Sequence, residues 1–223
     1  TAGADSYRIS NLDGLIDEIY LQTGTGNDVV EINLAGKNTG KTTSINLVGN
    51  DGTVETSGDG NNVFTVLAGG SDDTIGNIVL QGGGGNDRLQ VASAIAANII
   101  LQGGGGDDKL LLQGSGTAYT AFAAFGGAGN DKIMGGANGD FIFGDDTLSY
   151  DRIGAAIDAF TNTSNLADTV AITKAVADML AIADQNGDPA VIAQTNKLGG
   201  MDVLVSYGGM DYIDGGDETV ELN

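Results

Sequence analysis

Short runs rich in Val, Ile, Leu and Phe recur along the chain, and each is about as long as one β-strand. The segments between them are rich in Gly, Asn, Asp and Ser, which is typical of strands joined by tight turns. The runs are Val29–Leu34, Ser44–Val48, Val63–Leu67, Asn98–Leu101 and Ala118–Phe125. The pattern predicts an all-β protein built from many short strands.

The segments between the runs repeat one nine-residue pattern, G-G-x-G-x-D-x-(apolar)-x. Three copies fit it in full, and they are Gly82–Gln90, Gly103–Leu111 and Gly126–Met134. Even with 38 Gly in 223 residues, chance would produce GGxGxD only about 0.1 times. The glycine content alone therefore does not explain the repeat.

The spacing of the Asp residues in these copies indicates how the chain coils. Asp87, Asp108 and Asp131 are 21 and 23 residues apart, which is enough for two short strands and two turns. This spacing predicts one coil of a right-handed parallel β-roll or β-helix, with successive glycine turns stacked along one edge. The apolar residues two places after each Asp then point into a narrow core, and they are Leu89, Leu110 and Ile133.

Weaker copies of the pattern extend the repeat in both directions. They depart from it at one or two positions, and they are Thr23–Glu31, Ser57–Thr65, Ala68–Gly76 and Gly135–Phe143. In the second of these, Ser57 takes the first position and Asn62 replaces the Asp. Shortened copies begin at Gly199, Gly208 and Gly215, so the coils are expected to resume near the C-terminus.

The stretch between these two sets of repeats has a different period. Its apolar residues fall at i, i+4 and i+7, which predicts two amphipathic helices within Asp151–Lys197. We therefore expect one domain over residues 1–223: a main roll at 1–150, a small α-helical insertion at 151–197 packed on its side or end, and returning coils at 198–223.

The composition excludes several kinds of chemistry. The formal charge is −21, and the chain has no His and no Cys, which removes disulfides, thiol chemistry, histidine bases and the usual zinc ligands. Nucleic acids and anionic membranes attract basic surfaces, so the acidic charge argues against both as partners. No apolar run approaches the length of a membrane span, so no membrane insertion is expected.

The repeated turns are suited to binding a cation. Glycine permits positive φ and close backbone approach, so several carbonyl oxygens converge, and the Asp adds a carboxylate. Such flexible oxygen cages suit Ca²⁺ better than Mg²⁺. The alternative is that the glycines only form tight turns that the Asp caps, but turns alone do not require an Asp at the same register in every copy.

These turns resemble the repeats-in-toxin (RTX) family of hemolysin-type calcium-binding nonapeptide repeats. The resemblance covers Leu21–Phe143 and, more loosely, Leu198–Leu222. It implies that GGxGxD forms a turn, that the last three residues form a strand, and that Ca²⁺ lies between turns one coil apart. The usual family has nonapeptides in unbroken tandem, whereas here each coil has one good turn, so only one edge is expected to bind ions.

The resemblance implies two sites, and each of them draws on two turns. One combines Gly83, Gly85 and Asp87 with Gly103, Gly105 and Asp108; the next combines Gly104, Gly106 and Asp108 with Gly126, Ala128 and Asp131. Further candidate metal ligands are Gly24, Gly26, Asp28, Gly127, Gly129 and Asp140.

The resemblance also implies a function. It indicates a calcium-binding structural module of a large secreted or cell-surface bacterial protein, of adhesin or surface-layer type. Such proteins leave the cell unfolded by type I secretion and fold outside it on binding Ca²⁺. Expected partners are calcium ions, and beyond them other copies of the chain or a cell-surface polysaccharide. No catalytic residues are expected.

The alternative is a β-helix part, catalytic or not, of an enzyme acting on acidic polysaccharide, which would combine Asp, Ca²⁺ and a basic residue. Arg88, Lys109 and Lys132 share one register after the Asp of each copy, which is more typical of a solvated row than of an active site.

Asp184–Asp188 resembles the start of an EF-hand loop but lacks the sixth-position Gly and the twelfth-position Glu, which favours a polar loop.

Overall fold

The computed structural model describes residues 3–10, 18–34, 43–49, 60–67, 75–92, 98–113, 121–136, 140–144, 203–205 and 212–214. Strands within these ranges form two parallel sheets. The first sheet contains β1 (Ser6–Ser10), β3 (Val29–Asn33), β5 (Val63–Leu67), β7 (Arg88–Ala92), β9 (Lys109–Gln113), β11 (Lys132–Met134) and β13 (Val203–Val205). The second contains β2 (Glu18–Gln22), β4 (Thr43–Val48), β6 (Ile75–Gly84), β8 (Asn98–Gly105), β10 (Ala121–Ala128), β12 (Asp140–Phe143) and β14 (Tyr212–Asp214).

Successive strands alternate between the sheets, so each coil adds one strand to each sheet. In both sheets a strand pairs in parallel with the strand two places away in the chain, which is the connectivity of a β-solenoid. Equivalent residues of neighbouring coils stay in register: Arg88 pairs with Lys109, and Lys109 with Lys132. The predicted all-β parallel solenoid is confirmed.

The solenoid continues beyond the three best copies. β13 pairs with β11, and β14 pairs with β12, so the chain near residue 203 rejoins both sheets. The predicted helical insertion at 151–197 and the polar loop at Asp184–Asp188 lie outside the described residues. In the described part of the chain, no helix is long and apolar enough to cross a membrane.

The core lies between the two sheets and follows the predicted alternation. Leu89, Leu110 and Ile133 point inward and are essentially inaccessible to water. Across from them, the second sheet contributes the aliphatic pair Ile99 and Leu101 of β8 and their counterparts in other coils. Because each inward side chain packs on its equivalents one coil away, no coil completes its core alone.

The outer faces of the two sheets differ. On the first sheet the outer row Arg88, Lys109 and Lys132 is exposed. On the second sheet the outward residues of the middle strands, such as Ile100 and Ala123, are as buried as the core. The first sheet therefore carries the solvated outer face.

We expect Leu110→Ala to lower the free energy of unfolding by about 2–5 kcal/mol, because this side chain is buried between the sheets. Leu111→Ala is the matched control, since it removes the same atoms from a half-buried outward position; its cost should stay below about 1 kcal/mol. Urea unfolding of both variants in one buffer measures the difference. Equal losses would contradict the assignment of the two faces.

Candidate metal centre

The three full copies of the repeat form stacked turns along one edge of the solenoid. β6, β8 and β10 each run into a turn that ends at Asp87, Asp108 or Asp131, directly before β7, β9 or β11. We call this the glycine edge. The sequence prediction that these three carboxylates stack on one edge is met by the strand registers.

A row of six side chains runs along the glycine edge, one from each coil, and we call it the turn row. In each pair of neighbouring members, the backbone N–H of the earlier residue donates to Oδ1 of the later one. Along the chain these hydrogen bonds measure 2.8, 3.0, 2.6, 2.7 and 2.8 Å. The members are Asp5, Asp28, Asn62, Asp87, Asp108 and Asp131. From Asp28 onward they are buried.

Two glycines in each turn are fixed by backbone geometry. Gly83 and Gly85, at the second and fourth positions, have φ of 103° and 111°, which is the left-handed region that side chains disfavour. The carbonyl oxygen of Gly85 also points at the place where a Cβ of Gly106 would stand, one coil further on. These turns therefore direct carbonyl oxygens toward the next turn.

The first glycine of each turn makes room for the carboxylate. A Cβ at Gly103 would overlap Oδ2 of Asp108 and would lie 2.6 Å from the carbonyl oxygen of Gly126 in the next coil. Gly82 has the same relation to Asp87 and to the Gly103 carbonyl, which would lie 2.7 Å from its Cβ. A carboxylate oxygen and a carbonyl oxygen thus converge at this position, and neither of them carries a proton donor.

The convergence of these two oxygens makes the charged form of Asp108 unfavourable. Its side chain is 1 % exposed, and its Oδ2 has no hydrogen-bond partner. Burial raises the pKa of Asp108 to about 9; the hydrogen bond from the Asp87 backbone opposes this rise, and the charges of Asp87, Asp131 and Asp107 add to it. The arrangement favours a proton or a cation between the two oxygens.

A second row lies outside the turn row, on the exposed side of the same edge. Backbone N–H groups of Asn61, Asn86, Asp107 and Asn130 each donate to Oδ1 of the equivalent side chain one coil earlier, and the series starts at Asn27. Hydrogen bonds from the backbone and side chain of Asn130 lower the pKa of Asp107. These bonds tie neighbouring turns together on their solvent side.

A groove of about 670 Å³ runs beside this exposed row. Its lining consists of the cations Arg88, Lys109 and Lys132, the exposed residues Asn86, Asp107 and Asn130, and two members of the turn row, Asp87 and Asp108. The cations are fully in register and exposed. This agrees with the interpretation of these residues as a solvated row.

The residues at the glycine edge fit Ca²⁺, but two of the predicted carbonyl ligands already accept backbone hydrogen bonds. Asp87 and Asp108 present carboxylates on neighbouring turns, and the Gly103 carbonyl lies beside Asp87. The carbonyls of Gly105 and Ala128 instead accept backbone hydrogen bonds of 2.6 Å from Gly85 and Gly106. Within the described residues, no three acidic, His or Cys side chains are grouped as metal ligands; each predicted site uses two carboxylates and backbone oxygens.

Asp140, a further predicted metal ligand, does not lie on the glycine edge. It begins β12, which belongs to the second sheet, so its turn is on the edge opposite the glycine edge. Its Oδ2 accepts a 2.8 Å hydrogen bond from the backbone of Gly136. The copy Gly135–Phe143 therefore resembles the others in sequence, but Asp140 is not a member of the turn row.

The turn that precedes β5 differs from its predicted alignment. The prediction put Ser57 at its first position, but the strand register brings Gly49 to that place, against the Asn62 side chain and the carbonyl of Gly82. Gly49 lies thirteen positions before Asn62, whereas the nine-residue pattern places the first Gly five positions before the Asp, so the pattern does not reveal the pair. Asp5 was missed as well, because no glycine repeat surrounds it.

Other candidate ligands share the geometry of these turns. Asp28 belongs to the turn row, and Gly24 and Gly26 have positive φ as their equivalents do. The same holds for Gly104, Gly106, Gly127 and Gly129.

Comparison with known proteins adds no identification: no protein-family model, curated protein or solved structure matches the chain.

We expect Gly103→Ala to destabilise the protein by about 1–3 kcal/mol, because its Cβ would overlap the Asp108 carboxylate. Gly105→Ala is the matched control two residues away, since Gly105 pairs with Ala128 in the next coil, where a methyl group is already present. Urea unfolding at fixed calcium concentration compares the two. A larger loss for Gly105→Ala would contradict this geometry.

We also expect the metal-free protein to lose stability as the pH rises from about 4 to about 9. Asp108 has a pKa of about 9 in the folded chain, against an ordinary value of 3.8. The folded state thus binds more protons than the unfolded state in this window, and stability falls with pH. Urea midpoints in EDTA at several pH values measure the slope. Asp108→Asn should flatten it, whereas Asp107→Asn should change it much less, because the charge of this exposed neighbour is only a minor cause of the raised pKa of Asp108.

Proposed function

We propose that the chain is a calcium-binding structural module of RTX type, whose stacked glycine turns bind Ca²⁺ between coils. The observation that carries this proposal is Asp108, a buried carboxylate whose Oδ2 has no hydrogen-bond partner beside the Gly126 carbonyl. A buried carboxylate is unfavourable unless a cation, a donor or a proton accompanies it. A proton or a cation can bridge this oxygen and the neighbouring carbonyl, and only a cation does so while Asp108 keeps its negative charge.

The chemistry of the surrounding atoms favours Ca²⁺ over other ions. The turns contain no His and no Cys, and they supply carboxylate and carbonyl oxygens, which are ligands for hard cations. Asp87 and Asp108 would hold an ion with carbonyls of Gly83, Gly85 and Gly103. The same arrangement one coil on uses Asp108, Asp131 and the Gly126 carbonyl. Backbone cages of this kind adapt to the larger Ca²⁺ better than to the octahedral demands of Mg²⁺.

Ion binding here would be coupled to folding. Each site is shared between two coils, so it exists only when the turns are stacked, and binding free energy becomes folding free energy. Ca²⁺ also offsets the self-repulsion of a chain with a net charge of −21. This coupling suits a module that leaves the cell unfolded and folds outside it, as part of a large secreted or cell-surface protein.

We expect Ca²⁺ to stabilise the protein strongly and Mg²⁺ to do so much less. At a free concentration of one hundred times Kd, a single site contributes about 2.7 kcal/mol. Asp108→Asn should raise the calcium midpoint for folding more than Asp87→Asn or Asp131→Asn, because Asp108 belongs to both of the proposed sites, whereas Asp87 and Asp131 belong to one each. Titrations followed by circular dichroism measure these midpoints. Identical melting curves in EDTA and Ca²⁺ would overturn the proposal, as would an equal response to Mg²⁺.

A further inference from the structure

The turn row changes its chemistry along the solenoid. In its third member, Asn62, the side-chain amide donates a 3.0 Å hydrogen bond from Nδ2 to the carbonyl oxygen of Gly82. Gly82 holds the first position of the next turn. A hydrogen bond within the protein thus links these two coils. At the equivalent position in its own turn, Asp108 has an oxygen without a partner.

The comparison with Asp108 is direct, because Asn and Asp have the same shape. Oδ1 of both side chains accepts a backbone hydrogen bond from the preceding member of the row. The other terminal atom of both lies against the first glycine of its turn and the carbonyl of the next coil. In Asn62 that atom is a donor, so the contact is complete. In Asp108 it is an acceptor, so the contact requires something bound between the coils.

In the turn of Asp28, one coil before Asn62, a different residue donates the hydrogen bond to the carbonyl of the next coil. Thr23 replaces the first glycine of the Asp28 turn, and its hydroxyl donates a 3.0 Å hydrogen bond to the Gly49 carbonyl. The Thr23 side chain is completely buried. Its hydroxyl therefore engages the carbonyl that an ion would need at this position. Oδ2 of Asp28 also has no hydrogen-bond partner, but the carbonyl that the next coil brings to this position, that of Gly49, already accepts the Thr23 hydrogen bond.

We infer that the turn row is divided at Asn62: the coils up to and including this residue are joined by hydrogen bonds from Thr23 and Asn62 and need no metal, whereas Ca²⁺ is taken up only between the turns that carry Asp87, Asp108 and Asp131. This inference rests on the proposed function. Thr23 and Asn62 act here as positioning residues that take the place of the ion.

The division predicts how folding responds to the ion. The N-terminal coils form a unit that folds without metal and contains strands of both sheets. The coil that carries Asn62 is the last of this unit, and the next coil packs on it. In a solenoid each coil is stabilised mainly by its neighbours. The calcium-dependent coils therefore add to a surface that already exists.

Hydrogen exchange of the whole chain, with and without Ca²⁺, tests the division. We expect Ca²⁺ to slow amide exchange in β9 and β11 by at least about tenfold. In β3 and β5 we expect a change of less than about threefold. No effect of Ca²⁺ on any strand would overturn the proposed function itself. A uniform slowing of all strands would leave calcium binding intact and overturn the division.

Asn62→Asp provides a second, independent test. This substitution replaces the donor by a carboxylate oxygen facing the Gly82 carbonyl, so β3 and β5 should exchange faster in EDTA and recover in Ca²⁺. Asn61→Asp is the matched control, because it adds the same charge on the neighbouring, exposed side chain and should leave the profile unchanged. If Asn62→Asp leaves β3 and β5 independent of Ca²⁺, the inference is wrong. If it does not fold under either condition, the exchange profile of the native chain decides.

Discussion

The structure depends on the meeting of a buried carboxylate oxygen and a backbone carbonyl oxygen at the first glycine of each turn. Two parallel sheets held in register place each such pair over the next, so the same unfavourable contact recurs in the turns that carry Asp87, Asp108 and Asp131. In the full copies of the repeat a side chain at this position would overlap the carboxylate, as the position of Gly103 against Asp108 shows. The composition of the repeat is therefore a consequence of this contact, and so is the need for something to bridge the two oxygens.

Hydrogen bonds parallel to the solenoid axis hold the turns together around this contact. The buried turn row uses Oδ1 of each member, while the exposed row from Asn27 to Asn130 does the same on the solvent side. Oδ1 thus serves stacking, and Oδ2 remains for the ion that we propose. One carboxylate can satisfy both roles because its two oxygens point to different parts of the interface.

Much of this was predictable from the sequence, because the information lies in spacing. Asp residues 21 and 23 apart in matching turns define the coil, and the apolar position two places after each Asp assigns Leu89, Leu110 and Ile133 to the core. What the sequence did not reveal depends on three-dimensional register. Gly49 takes the first position of its turn although it lies thirteen positions before Asn62. Asp140 belongs to a copy of the motif whose turn lies on the edge opposite the glycine edge. A motif specifies a turn, but the sheet that receives the following strand decides which edge it joins.

The difference between the outer faces of the sheets bears on how such a solenoid can lengthen by duplication of coils. In the middle coils the outward side chains of the second sheet, such as Ile100 and Ala123, are shielded from water. A copied middle coil would bring another set of apolar side chains to that face, and they would need shielding of their own. Near the start of the same sheet Tyr20 is 49 % exposed, so an extra coil there adds no such demand. The solenoid is thus more tolerant of growth at its first coils than at its centre.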